Sequence, residues 1–167
     1  AHVGGVGAGE KDLRGWASAG VSMYHQIVPR VCPQYRIPGD ELIIVSHSHG
    51  GNVVACALAS GLKAALWIDI ASPVRRDARM IQIYGLARQN VTHWAHLYGG
   101  SKDRWQIRGS LDLTWNPLSW FNVRRDNTFA HENRQVAAAD HDDMLHVPEH
   151  MAVVTSVLEA APIWPTP

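Results

Sequence analysis

Ser48 sits in the run Ser46-His47-Ser48-His49-Gly50-Gly51, where a strand-like stretch (Leu42–Val45) changes abruptly into an Ala- and Val-rich, helix-like one (Asn52–Ser60). A serine on such a strand-to-helix turn presents its hydroxyl outward, beside the amides that open a helix. To act as a nucleophile it needs a base to take its proton and a group that orients that base. Asp103 and His141 follow in the chain order Ser…Asp…His, each just beyond a strand-like segment. The motif is G-x-S-x-G with Ser46 in place of the first glycine, and the small residues Ser46 and Gly50 are expected to let the backbone pass closely. The amide of His49 would then face the negative charge that develops on an attacked carbonyl oxygen.

Each role has competitors in the sequence. Ser48 could be an ordinary helix N-cap. Asp77, soon after the preceding strand, and Asp69, inside it between Ile68 and Ile70, compete with Asp103, although Asp69 reads better as a buried structural carboxylate. His146 and His131 compete with His141, which directly follows the last strand run. His47 is expected to pack or hydrogen-bond against the sheet. A different chemistry would use His47 and His49 as a metal-binding His-x-His pair. Sites of that kind continue with a carboxylate and a third imidazole, and here those places hold Gly51 and Asn52, neither a plausible zinc ligand. His93 and His96 lie three apart on a strand and so face opposite sides. No metal and no cofactor is therefore expected.

The elements that must position these groups follow from periodicity. Leu13, Trp16, Gly20, Tyr24, Ile27 and Val28 recur at helical spacing after a Gly-rich start. "RIPGDE" supplies a turn, and Leu42–Val45 reads as a strand buried on both faces. Asn52–Ser60 reads as a helix that Gly61 closes. Ala65–Ile70 is a second strand and Arg75–Arg88 a helix with Met80, Ile83 and Ala87 inward. Val91–Tyr98 is a third strand, followed by the "GGSKD" loop. Arg104–Gly109 either extends that strand or leaves it. Arg134–Ala139 is read as a fourth strand and "DHDDMLH" as a loop. A last helix starts near Pro148, with Met151, Val154, Val157, Leu158 and Ala161 on one face. This alternation predicts an α/β fold, a single domain over residues 1–167 with a parallel sheet flanked by helices. The Trp-rich segment from Trp105 to Trp120 is either a wall over the site or a cover for the sheet.

Composition narrows the partners. Lys+Arg and Asp+Glu number 15 each, so no net field exists to hold nucleic acid or an anionic membrane. Apolar residues make up 46%, and no run of them approaches the roughly 18 residues of a spanning helix. The two cysteines, Cys32 and Cys56, suggest no disulfide framework. With no signal-like start, a cytoplasmic location is the default expectation.

At the level of whole segments, "LIIVSHSHGGNVV" resembles the nucleophile elbow of α/β-hydrolase lipases and esterases that carry a Ser-His-Ser-His-Gly variant. "WIDIASPVRRD" is similar to the next strand and its loop, "HWAHLYGGSKDRWQIRG" to the acid-bearing segment, and "DHDDMLHVPEHM" to the His loop and last helix. The resemblance runs over roughly residues 13–160 and implies a minimal α/β-hydrolase-type sheet. It also implies Ser48 as nucleophile, Asp103 as acid and His141 as base, acting on a small-molecule carboxylic ester. Strands that precede the elbow in that family are expected to be missing here. The Gly-rich "HVGGVGAG" would stand in for the turn that supplies the second oxyanion donor, through the amides of Val3, Gly4 and Gly5. A sheet edge left open by the missing strands would favour a homo-oligomer. The alternative of another class is a binding module that keeps the elbow without catalysing anything.

Overall fold

The computed structural model describes residues 15, 17–25, 42–100, 103–106 and 126–162. Residues 17–25 form a helix (α1). There follow β1 (Ile43–His47), α2 (Gly50–Ala59), β2 (Ala64–Ile70), α3 (Ala78–Gln89), β3 (Val91–Gly99), β4 (Glu132–Val136), α4 (Asp143–His146) and α5 (Pro148–Ala160). The four strands form one parallel sheet in the order β1-β2-β3-β4. The chain thus folds as a compact α/β structure, as its alternating pattern predicts. Among the described residues no helix is long and apolar enough to cross a membrane.

Two cores follow from the two-residue period of the strands. On one face, Ile44, Trp67 and Trp94 pack under α1, α2 and α3, and the Trp67 and Trp94 rings stack at 4.1 Å. On the other, Leu66, Ile68, Ile70, Ala95 and Leu97 pack under α5 through Val154 and Val157. A fully buried side chain of this size contributes about 1.5–3 kcal/mol. Helix α2 lies between the sheet and its neighbouring helices, so Gly51 through Leu58 are all buried. That is why its sequence is apolar all round rather than striped. Cys56 belongs to this core, and burial pushes its thiol up to about 11.

Helix α2 ends as Gly61 predicts. Gly61 takes φ +105°, its N–H donates to the Leu58 carbonyl at 2.9 Å, and Leu62 N–H donates to Ala57 at 3.2 Å. This is the left-handed closure that glycine adopts without steric cost. Helix α3 starts three residues later than Arg75. Asp77 takes an extended backbone and its carboxylate accepts the Met80 N–H at 3.0 Å, which fixes the first turn. Met80, Tyr84 and Ala87 are its buried residues, and Ile83 is only partly covered.

Three expectations are corrected. β1 is not buried on both faces, since Val45 is 53% exposed at an edge of the described sheet. β4 spans Glu132–Val136 and not Arg134–Ala139, because a strand at the edge of the described sheet can carry the polar Glu132, Asn133, Arg134 and Gln135, while Ala137–Ala139 turn away. The "DHDDMLH" segment holds the short helix α4, whose entry is fixed by Asp140 accepting the Asp142 and Asp143 amides. Leu13, Trp16, Ile27, Val28, Cys32, the "RIPGDE" turn, residues 107–125 with Trp115 and Trp120, and Val3, Gly4 and Gly5 lie outside the described residues. Residues 104–106 form a helical turn in place of a strand extension, with Trp105 exposed. No strand precedes β1 among the described residues.

Candidate active site

The site is built at the carboxyl ends of β1, β3 and β4, where an open parallel sheet presents its loops. β1 stops at His47, and Ser48 turns into the left-handed region at φ 55°. A non-glycine residue there costs about 1–2 kcal/mol, and it is held by a bond from the Ser48 amide to the Ile70 carbonyl at 2.9 Å. The amide of Ser48 is thereby committed to the sheet, and is not a free donor at the site as its place beside a helix suggests. His49, not Ser48, is the N-cap of α2, with no side-chain cap bond. The N-cap alternative for Ser48 is therefore not what the hydroxyl does.

The tight packing at this turn comes from Gly51, not Gly50. A Cβ on Gly50 would meet open space, whereas one on Gly51 would overlap Ser72 Oγ and Asp69 Oδ1. Those two atoms belong to a buried polar row that crosses the sheet in register: Ser46, Asp69 and His96 on β1, β2 and β3. Trp67 Nε1–H donates to Ser46 Oγ at 2.8 Å, and Ser46 Oγ–H donates to Asp69 Oδ1 at 3.2 Å. Ser72 donates to the same carboxylate oxygen, and His96 Nδ1–H donates to Asp69 Oδ2 at 2.9 Å. Asp69 is thus a structural carboxylate that supports the underside of the elbow, as its place between two isoleucines suggests. Its partner His96, fully buried, is the part that sequence spacing does not reveal.

The acid-bearing loop depends on the Gly99–Gly100 pair. A Cβ on Gly99 would stand 2.7 Å from Asp103 Cβ, and one on Gly100 would overlap the Ala137 carbonyl. These glycines let Asp103 fold back beneath the end of β3 and let the loop after β4 cross it. Asp103 is fully buried and accepts the Gln106 amide at 2.8 Å. Gln106 is equally buried; its Oε1 accepts the Gly99 amide at 3.2 Å and its Nε2–H donates to the Ser72 carbonyl at 3.1 Å. It braces the Asp103 loop against the loop after β2, a role that the sequence does not show.

Ser48, Asp103 and His141 come together. His141 Nδ1 lies 3.1 Å from Asp103 Oδ1, and its Nε2 lies 2.8 Å from Ser48 Oγ. A carboxylate accepts, so Nδ1 carries the hydrogen and Nε2 is left to accept from the serine hydroxyl. A hydroxyl, an imidazole and a buried carboxylate in this linear order can pass a proton from oxygen to nitrogen while charge develops on a substrate.

The competitors are occupied elsewhere. Asp77 caps α3 and pairs with Arg75 at 3.4 Å. His131 accepts the Trp94 amide at 3.0 Å and stacks on His93, and burial lowers its pKa. His146 is exposed at the end of α4. His47 does not bond to the sheet: its Nε2–H donates to the main-chain carbonyl of His141 at 3.0 Å. Asn52, the residue in the place of a third metal ligand, accepts the Tyr84 hydroxyl at 2.7 Å and donates to the Pro73 carbonyl at 3.4 Å. His93 and His96 face opposite sides of β3, one toward Glu132 and the other toward Asp69. Among the described residues no three His, Cys, Asp or Glu side chains form a group fit to hold a metal ion. Asn133 braces the loop before β4 by bonding both the amide and the carbonyl of Asn127.

Comparison with protein-family models, with curated proteins and with solved structures gives no match for this chain.

Proposed function

We propose that the chain is a serine hydrolase of the α/β-hydrolase type that cleaves carboxylic esters. One observation carries this reading: the continuous line from Ser48 Oγ through the His141 ring to the buried Asp103 carboxylate, with contacts of 2.8 and 3.1 Å. In the proposed reaction Ser48 Oγ attacks the acyl carbon as its proton moves to His141 Nε2. Asp103 holds the ring in the receiving tautomer and stabilises the imidazolium that forms. Collapse of the tetrahedral adduct expels the alcohol oxygen, which takes the proton back from Nε2 and leaves an acyl-Ser48 ester. Water then attacks that ester by the same route, giving up a proton to His141, and the acid leaves as Ser48 regains it. The amide of His49, at the positive end of α2, is assigned as one oxyanion donor. The amides of Val3, Gly4 and Gly5, assigned as the second, lie outside the described residues.

Hydrolysis of p-nitrophenyl esters of graded acyl length tests this reading. Wild-type protein is expected to release nitrophenol with a burst, and Ser48→Ala to lose about six orders of magnitude in kcat. Activity that survives Ser48→Ala and disappears with a chelator would replace the serine by the His-x-His metal reading. A folded wild type without any turnover would leave the binding-module alternative.

A further inference from the structure

His141 is held at two places by two adjacent residues. Ser48 meets its ring at Nε2, and His47 meets its main-chain carbonyl with Nε2–H at 3.0 Å. The two imidazoles also lie against each other, with ring centroids 4.8 Å apart and planes tilted by 47°. His47 is the last residue of β1, so its backbone is fixed by register to Ile70. His141, in contrast, sits on the loop between β4 and α4. The end of β1 and the loop that carries His141 are therefore joined through one ring.

From this contact we infer that His47 is a positioning residue for the proposed reaction. By gripping the carbonyl of His141 it sets where the His141 ring meets Ser48. The inference rests on the hydrolase reading and deepens it. Proton transfer tolerates little displacement: a shift of about 1 Å costs on the order of 100-fold in rate. An anchor on the main chain of the base restricts that shift directly, where a bond to the ring alone would leave the loop free to slide.

The charge state of His47 suits this task. Burial is the main cause that lowers its pKa, reinforced by the neighbouring His141 and opposed by the bond to the His141 carbonyl and by Asp142 and Asp103. Those are the groups that face it from the loops after β3 and β4. A neutral His47 still offers Nε2–H to the carbonyl. It adds no positive charge beside His141 when that ring becomes an imidazolium. A cation at the same place would oppose the proton transfer it is meant to assist.

Two substitutions and one spectrum test this. His47→Phe keeps a ring of similar size and removes the donor; it is expected to lower kcat about 10- to 100-fold at nearly unchanged KM. His47→Gln restores an N–H donor and is expected to recover kcat to within about threefold of wild type. A purely structural role would lower stability in both variants without such rescue. Long-range proton–nitrogen NMR of the wild type at neutral pH is expected to find His47 in the Nε2–H tautomer. That readout decides the contact even if the Phe variant does not fold. A folded His47→Phe with wild-type kcat, or a His47 in the Nδ1–H tautomer, overturns the role of His47 while the hydrolase reading stands. A wild type without esterase activity overturns the hydrolase reading first, and the kinetic role of His47 with it.

Discussion

A serine hydroxyl becomes a nucleophile only if its proton can leave as the new bond forms, so the identity of the orienting acid matters as much as that of the serine. Asp103 is buried against His141, while Asp77 spends its carboxylate on the first turn of α3. Asp103→Ala is therefore expected to cost about four orders of magnitude in ester turnover. Asp77→Ala is expected to leave turnover intact and to cost about 1 kcal/mol of stability as a lost helix cap. Steady-state kinetics beside urea unfolding separates the two. At this scale the sequence was informative about residue type and order: Ser48, Asp103 and His141 stand out because each follows a strand. It was silent about bracing. Gln106 and His96 act through partners that the chain brings near only by folding, His96 through Asp69, 27 residues earlier, and no local pattern encodes such a meeting.

Between residues and the whole lie the turns, where a single missing side chain decides whether an element can pass another. Gly51→Ala would drive a Cβ into Ser72 and Asp69, beneath the elbow. It is expected to destabilise the fold by roughly 1–3 kcal/mol, as overpacking does, and to reduce turnover together with stability. Gly50→Ala meets open space at the first residue of α2 and is expected to be stabilising by about 0.4–1 kcal/mol. Thermal unfolding of the pair checks the contrast. The G-x-S-x-G pattern assigns the space-limited role to Gly50, but the nearest approach depends on how the Asp69 and Ser72 loop passes under α2. Strand β2 was legible because a strand inside a parallel sheet reads as a nearly continuous apolar run, interrupted here only by Asp69. β4 was misplaced because an edge strand needs no such run, and the small apolar Ala137–Ala139 mimic one while serving as the crossing point above Gly100.

For the molecule as a whole, equal numbers of acidic and basic groups leave stability governed by particular sites rather than by net charge. His47 is the clearest: burial lowers its pKa below the ordinary 6.5. Below that pH the unfolded chain binds a proton that the folded chain resists, so stability decreases as pH falls from about 6.5 toward the lower folded value and is fully present above. Urea unfolding across this range is expected to show that decrease, and His47→Gln to flatten part of it; an unchanged slope would place the titration elsewhere. His131, also lowered but exposed, contributes little to it. The alternating apolar segments were enough to foresee a parallel sheet with helices on both faces, since burial alone demands that arrangement. Which strands meet in which register was not foreseen, because pairing is set by side chains far apart in the chain.

The assignment of Ser48 as an activated nucleophile is tested most directly by the mass of the intact protein after incubation with a fluorophosphonate. The expected result is one phosphonyl group per chain, mapped to Ser48, absent in Ser48→Ala and formed far more slowly in His141→Ala. A folded wild type that gains no mass, or an adduct that persists in Ser48→Ala, would contradict it.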